Sequence, residues 1–328
     1  MVRDPMNLQS ILAFPATIGA RLTRLWLGCA LVVAVGLGHG APVQAAPLQV
    51  VASLPSLAAL AAEVGGDVVE VRAMASPRQD PHFVDARPDL ILQLARADLL
   101  LVNGLGLESG WVPALLAQAR NPKILAGGRG HFEAARFVSL LQVTAGPVDR
   151  TQGDIHRGGN PHFLSDPRAG AKVALALAET LASLHPAQAA AVRARATALA
   201  GRLEALAAQE SARFAKLPAA RRALVAYHES LPYLLTWLGI RQIATLEPRP
   251  GIPPHPQHVA SVLGLMRQQA ARVIAQEEYY PRSTSQTVAR MAGARLAVLH
   301  GGARFAEGER YEAHVRGLAK VLYDAFAQ

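Results

Sequence analysis

The chain has 328 residues, a formal net charge of +9 and a single cysteine. That length favours two domains or lobes, each with its own apolar interior, over one ordinary core. The excess arginine is scattered, with no block of like charges and no basic stripe interleaved with aromatics, so the charge reads as a solvated surface and nucleic acid is not an expected partner.

At the start of the chain, Arg21 and Arg24 precede an apolar run from Leu25 to Leu37, and Val43-Gln44-Ala45 supplies a small-residue cleavage pattern. Residues 1–45 therefore read as an export signal, cut after Ala45. The run is too short to cross a hydrocarbon core of about 30 Å, and nothing after Ala45 is long and uncharged enough to do so, so the mature protein is expected to be soluble. Cys29 lies in the middle of the run, where lipid attachment would leave more apolar sequence at the start of the mature chain. Loss of the signal removes the only cysteine, which excludes disulfides and thiolate ligands and leaves nitrogen or oxygen as donors to any transition metal. Arg3, Arg21 and Arg24 leave with Asp4, so the formal charge falls from +9 to +7.

In the mature chain, short β-branched or leucine-rich runs alternate with longer amphipathic ones. Leu48 to Leu54, Val68 to Met74, Asp98 to Asn103 and Lys123 to Ala126 are expected strands of a first half, with Phe137 to Val143 as an additional one. Thr144 to Gly159, rich in Gly, Asp and Arg, reads as a loop. The second half repeats the alternation at Arg222 to Tyr227, Gln242 to Leu246, Ala271 to Ala275 and Ala294 to Leu299. The pattern predicts an α/β fold of two lobes with mostly parallel sheets. Between the halves, Pro186 to Lys216 has no internal proline and sets Val192, Leu199, Leu203 and Leu206 near one helical face. Such a helix would run roughly 45 Å, either linking both lobes or lying on the surface of one. The expected partition is 1–45 signal, 46–185 first lobe, 186–217 linking helix and 218–328 second lobe.

Three histidines stand in constrained settings: Asp80-Pro81-His82, Asn160-Pro161-His162 and Tyr227-His228-Glu229. Proline fixes its own φ and biases the residue before it towards extended backbone, so a histidine directly after it projects from a pre-set chain. His228 and His300 each follow an apolar run, and Glu277 follows Arg272 to Ala275, which places all three at the carboxyl ends of strands, where open α/β sheets bind ligands. Imidazole donors suit zinc, copper or nickel, whereas manganese prefers more oxygen. His131, His185, His255, His258 and His314 carry no local mark and are expected at the surface; His39 leaves with the signal.

Asp80-Pro81-His82, Gly159-Asn160-Pro161-His162-Phe163-Leu164-Ser165-Asp166-Pro167 and Tyr227-His228-Glu229-Ser230-Leu231-Pro232-Tyr233-Leu234, in this order and at these separations, resemble the zinc- and manganese-type periplasmic solute receptors of bacterial ABC importers. The resemblance runs from Leu48 to the C-terminus. It implies two α/β lobes joined by one long helix, with a divalent metal in the inter-lobe cleft, held by His82 and His162 from the first lobe and His228 from the second. Histidine at the third position resembles zinc carriers, where manganese carriers tend to have glutamate. Where relatives often supply a carboxylate near the end of the last cleft-facing strand, this chain has His300, so His300 and Glu277 are alternative fourth ligands, Glu277 also being a candidate for orienting an imidazole. The histidine-rich acidic loop of some zinc receptors is missing; His156, alone in that region, is expected to be a surface or accessory residue. Asp80, Glu229 and Glu277 are the expected acceptors of imidazole N–H groups.

The resemblance implies a monomeric periplasmic protein that takes up Zn2+, with Mn2+ less favoured, and passes it to a permease in the inner membrane without catalysis. The rival readings are a secreted zinc-dependent hydrolase and a metal-stabilised adhesin. Against the first, the chain has no H-E-x-x-H pair and no G-x-S-x-G elbow; the second has no positive sequence signal.

Overall fold

Eight short strands and nine α-helices alternate along the computed structural model, which describes Met1, residues 46–143, residue 156 and residues 158–327. The export signal expected at 1–45 lies outside the described residues apart from Met1, as does most of the loop expected at 144–159. The first sheet contains β1 (Leu48–Ala52), β2 (Val69–Ala73), β3 (Leu99–Val102) and β4 (His131–Glu133) in the order β2-β1-β3-β4. The second contains β5 (Ala223–Ala226), β6 (Arg241–Thr245), β7 (Val273–Glu277) and β8 (Arg295–Leu299) in the order β6-β5-β7-β8. Every pairing is parallel, and the two strand orders are the same topology repeated.

The helices are α1 (Pro55–Gly65), α2 (Pro88–Arg96), α3 (Val112–Ala119), α4 (Pro167–Leu184), α5 (Ala189–Ala215), α6 (Pro232–Leu238), α7 (Pro256–Gln268), α8 (Arg282–Ala292) and α9 (Tyr311–Ala327). Five of them begin on a proline, whose fixed φ suits the first turn and whose missing N–H would go unused there. At α4 the Asp166 carboxylate also caps the helix, accepting from the Arg168 N–H at 2.8 Å.

Side chains alternate across the strands and so divide the interior into layers. Val50 and Ala52 of β1, Leu99 and Leu101 of β3, Leu224 and Ala226 of β5 and Val273 and Ala275 of β7 face one shared core that also takes in α1, α4, α5, α6 and α9. The opposite faces meet separate clusters: Val51, Leu100 and Val102 pack with α2 and α3, while Val225 and Ile274 pack with α7 and α8. Each sheet is thus covered on both sides, as parallel sheets require.

The linking segment opens with a 3-10 turn at Pro186–Gln188 before α5, which has 27 residues and is about 40 Å long. Val192, Leu199, Leu203 and Leu206 are all buried along it. Helix α5 packs against α4 over much of its length, against α1 beside the first sheet and against α6 and α9 beside the second. Among the described residues no helix is long and apolar enough to cross a membrane.

Two expected strands are corrected. Lys123 to Ala126 is not a strand: Asn121 caps a 3-10 turn at Pro122–Ile124 by accepting from the Lys123 N–H, and the strand forms later, at His131–Glu133. Ile124 is apolar because it plugs the outer core of the first sheet from a turn. Phe137 to Val143 does not extend the sheet; Ala134–Phe137 is a 3-10 turn, and the Leu141 N–H is taken by the Tyr233 hydroxyl at 2.9 Å rather than by a neighbouring strand. His314 is also corrected: it lies on the face of α9 that carries Tyr311, Val315 and Leu318 inward, and it is buried, not exposed. Burial, with a smaller contribution from the charge of His300, holds its pKa down at about 3.

Candidate metal site

The two X-Pro-His segments use one local device. Asp80 Oδ1 accepts from the His82 backbone N–H at 3.0 Å, and Asn160 Oδ1 accepts from the His162 backbone N–H at 3.0 Å, so each histidine is held by a turn built on the residue before its proline. The proline carbonyls are pinned in turn, Pro81 by the Trp111 indole N–H at 3.0 Å and Pro161 by the Asn103 side-chain amide at 2.9 Å. His228 comes from the other sheet, two residues beyond the end of β5.

One ring nitrogen of each of His82, His162 and His228 lies within 4.8 Å of the other two. The ring centroids are 5.4 Å apart for His82 and His162, 5.6 Å for His82 and His228 and 5.8 Å for His162 and His228. Zn–N bonds of about 2.0–2.1 Å in a tetrahedron place donor nitrogens about 3.3 Å apart, so the rings need close by no more than about 1.5 Å to share one ion. His82 and His228 are buried and His162 half-buried.

Carboxylates orient two of the rings. Asp80 Oδ1 lies 2.7 Å from His82 Nδ1, and Glu247 Oε2 lies 2.7 Å from His228 Nδ1. A carboxylate only accepts, so both Nδ1 atoms carry the proton and both Nε2 atoms are left to face the cleft. Burial, then the neighbouring His82 and His228 charges, hold the His162 imidazole well below its ordinary pKa and keep it neutral. At His228 burial also opposes charge, but the Glu247 hydrogen bond and the charges of Glu247, Glu277 and Asp80 together outweigh it and raise the pKa. Asp80 is depressed: burial pushes it up, and the hydrogen bonds and charge of His82 outweigh that.

Of the carboxylates expected to orient imidazoles, Asp80 does so. Glu229 instead accepts from Gln142 at 2.6 Å and Gln242 at 2.7 Å. Glu277, the last residue of β7, is fully enclosed; its Oε1 takes the Ser230 hydroxyl, its Oε2 has no partner among the described residues, and burial raises its pKa despite the Ser230 hydrogen bond. Glu277 borders a cavity that His162 also lines but is not in the three-histidine group. Nor is His300, whose Nδ1 lies 3.2 Å from Glu278 Oε1 and 3.1 Å from Arg304 Nη2. Those two contacts engage a partly exposed ring that lines the same cavity.

Sequence reasoning missed Glu247, although it follows β6 at a carboxyl strand end as His228 follows β5, and the same rule would have found it. His156, expected to be a surface or accessory residue, is not in the three-histidine group but reaches its His82 side: its Nε2 is 3.1 Å from His82 Nε2 and its ring centroid 5.3 Å from that of His82. Replacing Glu247 by alanine frees the His228 ring to turn and weakens its basicity. The affinity for a divalent metal ion held by His228 is expected to fall about 10- to 100-fold, measured by competition with a chromophoric chelator, while the far-UV circular dichroism stays unchanged.

Two parallel-sheet lobes around a long helix, with converging imidazoles contributed by both, define a metal-binding receptor. The profile of the family described as "Zinc-uptake complex component A periplasmic" matches residues 50–325, and the chain belongs to this family. The "Iron-binding protein YfeA" of Yersinia pestis is 24% identical over 249 residues, covering 75% of each chain. The "Manganese ABC transporter substrate-binding lipoprotein PsaA" of Streptococcus pneumoniae serotype 4 is 21% identical over 220 residues, 66% of this chain and 67% of that one. Among solved structures, a crystal structure of ZnuA superposes with a TM-score of 0.71 at 20% identity, covering 85% of this chain and 99% of that one. The structure of FpvC from Pseudomonas aeruginosa in complex with Mn2+ gives 0.71 at 25% identity, covering 86% and 98%. The chain is therefore a metal-binding receptor of an ABC transporter and not an enzyme.

Proposed function

We propose that this receptor captures zinc in the periplasm and delivers it to an inner-membrane permease, with His82, His162 and His228 as ligands. The observation that carries the reading is the convergence of three imidazole nitrogens within 4.8 Å from two lobes. Relatives are named for iron and for manganese, so the choice of zinc rests on this chain's own donors. Manganese favours oxygen-rich sites, whereas an imidazole cluster favours zinc, copper and nickel. Glu277 and His300 stand beside the cluster, and each would need to move to donate. Export with cleavage after Ala45, a monomeric state and the partition 46–185, 186–217 and 218–328 belong to the same reading.

Capture requires neutral rings. His162 is held neutral by its surroundings, whereas His228, with its pKa raised, must release a proton as the ion binds wherever the pH lies below that raised value. Zinc affinity is therefore expected to be flat well above the raised His228 value and to fall by about tenfold per pH unit for that one proton as pH drops through and below it, with the decline setting in above the ordinary imidazole value of about 6.5. Isothermal titration of the purified protein with zinc at a series of pH values between 5.5 and 8 tests this, using buffers of about equal ionisation enthalpy. An affinity independent of pH would remove the histidine ligands, and a ratio other than one ion per chain would remove the single site.

A further inference from the structure

We propose that His156 is a fourth nitrogen ligand of the ion held by His82, His162 and His228, so that the site is all-imidazole and discriminates against manganese. This deepens the three-histidine reading above and rests on it.

His82 Nδ1 faces the Asp80 carboxylate at 2.7 Å, and His156 Nδ1 faces the Leu105 carbonyl oxygen at 2.9 Å. Both partners only accept, so both Nδ1 atoms are donors and each neutral ring has its lone pair on Nε2. Those two Nε2 atoms are 3.1 Å apart. Two lone pairs repel at that distance, and what turns the contact into an attraction is a proton or a metal cation between them. Two Zn–N bonds of about 2.0–2.1 Å at the tetrahedral angle set their nitrogens about 3.3 Å apart, close to the spacing found.

The acceptor for His156 is built at some conformational cost. Gly104, Leu105 and Gly106 have φ of +92°, +57° and +77°, three successive left-handed residues. Two are glycines, which adopt that region freely, but Leu105 does so against its Cβ. The turn aims the Leu105 carbonyl at His156 Nδ1, as acceptors commonly do behind a metal-ligating histidine. Glu108 holds the base of the turn, its carboxylate accepting from the Asn103 N–H at 2.6 Å and the Gly104 N–H at 3.2 Å. With His156 in place the ion needs neither Glu277 nor His300 to complete four-coordination, which agrees with the engagement of Glu277 by Ser230 and of His300 by Glu278 and Arg304.

X-ray absorption of the zinc-loaded purified protein should resolve four imidazole ligands at about 2.0 Å. His156→Ala should show three imidazoles and one oxygen, bind zinc about 100-fold or more weakly and leave manganese binding within about twofold of wild type. His156→Gln, which keeps a donor for Leu105 but offers no ring nitrogen, should match the alanine variant; wild-type zinc affinity in the glutamine variant would overturn the proposal. Three imidazoles plus oxygen in the wild type would also overturn it. His82→Ala separates the two levels: loss of zinc in that variant with wild-type affinity in His156→Ala overturns the fourth ligand alone, whereas wild-type affinity in both removes the three-histidine site as well.

Discussion

Replacing His162 by alanine is expected to lower zinc affinity by about 100-fold or more, a larger loss than removal of any group that only orients a ligand. The His162 ring lies 5.4 Å from the His82 ring and 5.8 Å from the His228 ring. It is also the ring most strongly held neutral, so its lone pair is available across the physiological range. Water in the vacated place could still coordinate the ion, but without the preset geometry of the Asn160-Pro161 turn. His300→Ala, by contrast, is expected to leave affinity within about twofold, because it removes a ring already committed to Glu278 and Arg304. Chelator competition on both variants measures the difference. An equal loss in the two would mean that β8 does supply a donor and that the rim of the cavity closes further than the structure shows.

Replacing Phe214 by alanine is expected to destabilise the metal-free protein by about 3–5 kcal/mol, the range for deleting a buried aromatic ring. Phe214 is in the last turn of α5 with no exposed surface, and it packs edge-on against Tyr323 at 5.4 Å and Phe326 at 6.5 Å of α9. Helix α9 returns to the first lobe at its other end. There the Tyr311 hydroxyl donates to the Leu164 carbonyl at 2.9 Å, and Glu63 of α1 accepts from the Tyr311 N–H at 3.0 Å. The ring therefore clamps the two helices that cross between the lobes. Urea unfolding followed by circular dichroism gives the loss. If zinc binds the folded chain and not the unfolded one, as proposed above, an ion concentration a thousandfold above Kd should restore about 4 kcal/mol, much of the deficit. A variant that unfolds as the wild type does would show that α5 and α9 are not coupled through this ring.

One core runs from the first sheet through α4, α5 and α9 to the second. Opening the lobes widely would expose that core, so ion release is expected through small shifts at the cleft rather than a wide hinge. Asn160 is placed to register such a shift: its side-chain amide donates to the Glu229 carbonyl of the second lobe at 2.7 Å, and its own carbonyl accepts from the Tyr233 hydroxyl at 3.0 Å. The residue that builds the turn under His162 is thus also tied across the cleft.

Local physics made much of this legible in the sequence. The inner parallel strands β3, β5 and β7, buried throughout, read as short apolar runs, and seven of the eight strands overlap the β-branched or leucine-rich runs that predict them; a long amphipathic segment without proline can scarcely be anything but a helix, and α5 follows the buried face of Val192, Leu199, Leu203 and Leu206. The Asp-Pro-His and Asn-Pro-His turns are likewise local, since the side chain that makes each turn lies two residues before the histidine it positions.

What needed the tertiary structure was every choice between partners distant in the chain. Lys123 to Ala126 and His131–Glu133 compete for the edge of the first sheet, and closed turns at Gly128 and Gly130 decide for the later segment: a Cβ at Gly130 would come within 2.2 Å of the Asp98 carbonyl oxygen. Glu247 and not Glu229 orients His228, because β6 lies beside β5 in the sheet. His300 turns to Glu278 and His156 to His82, two outcomes that depend on where lone pairs and charges from separate segments come to lie. Spacing along a chain carries no record of such encounters, because a hydrogen bond or a shared ion is set by distances of a few ångströms that only the folded packing creates.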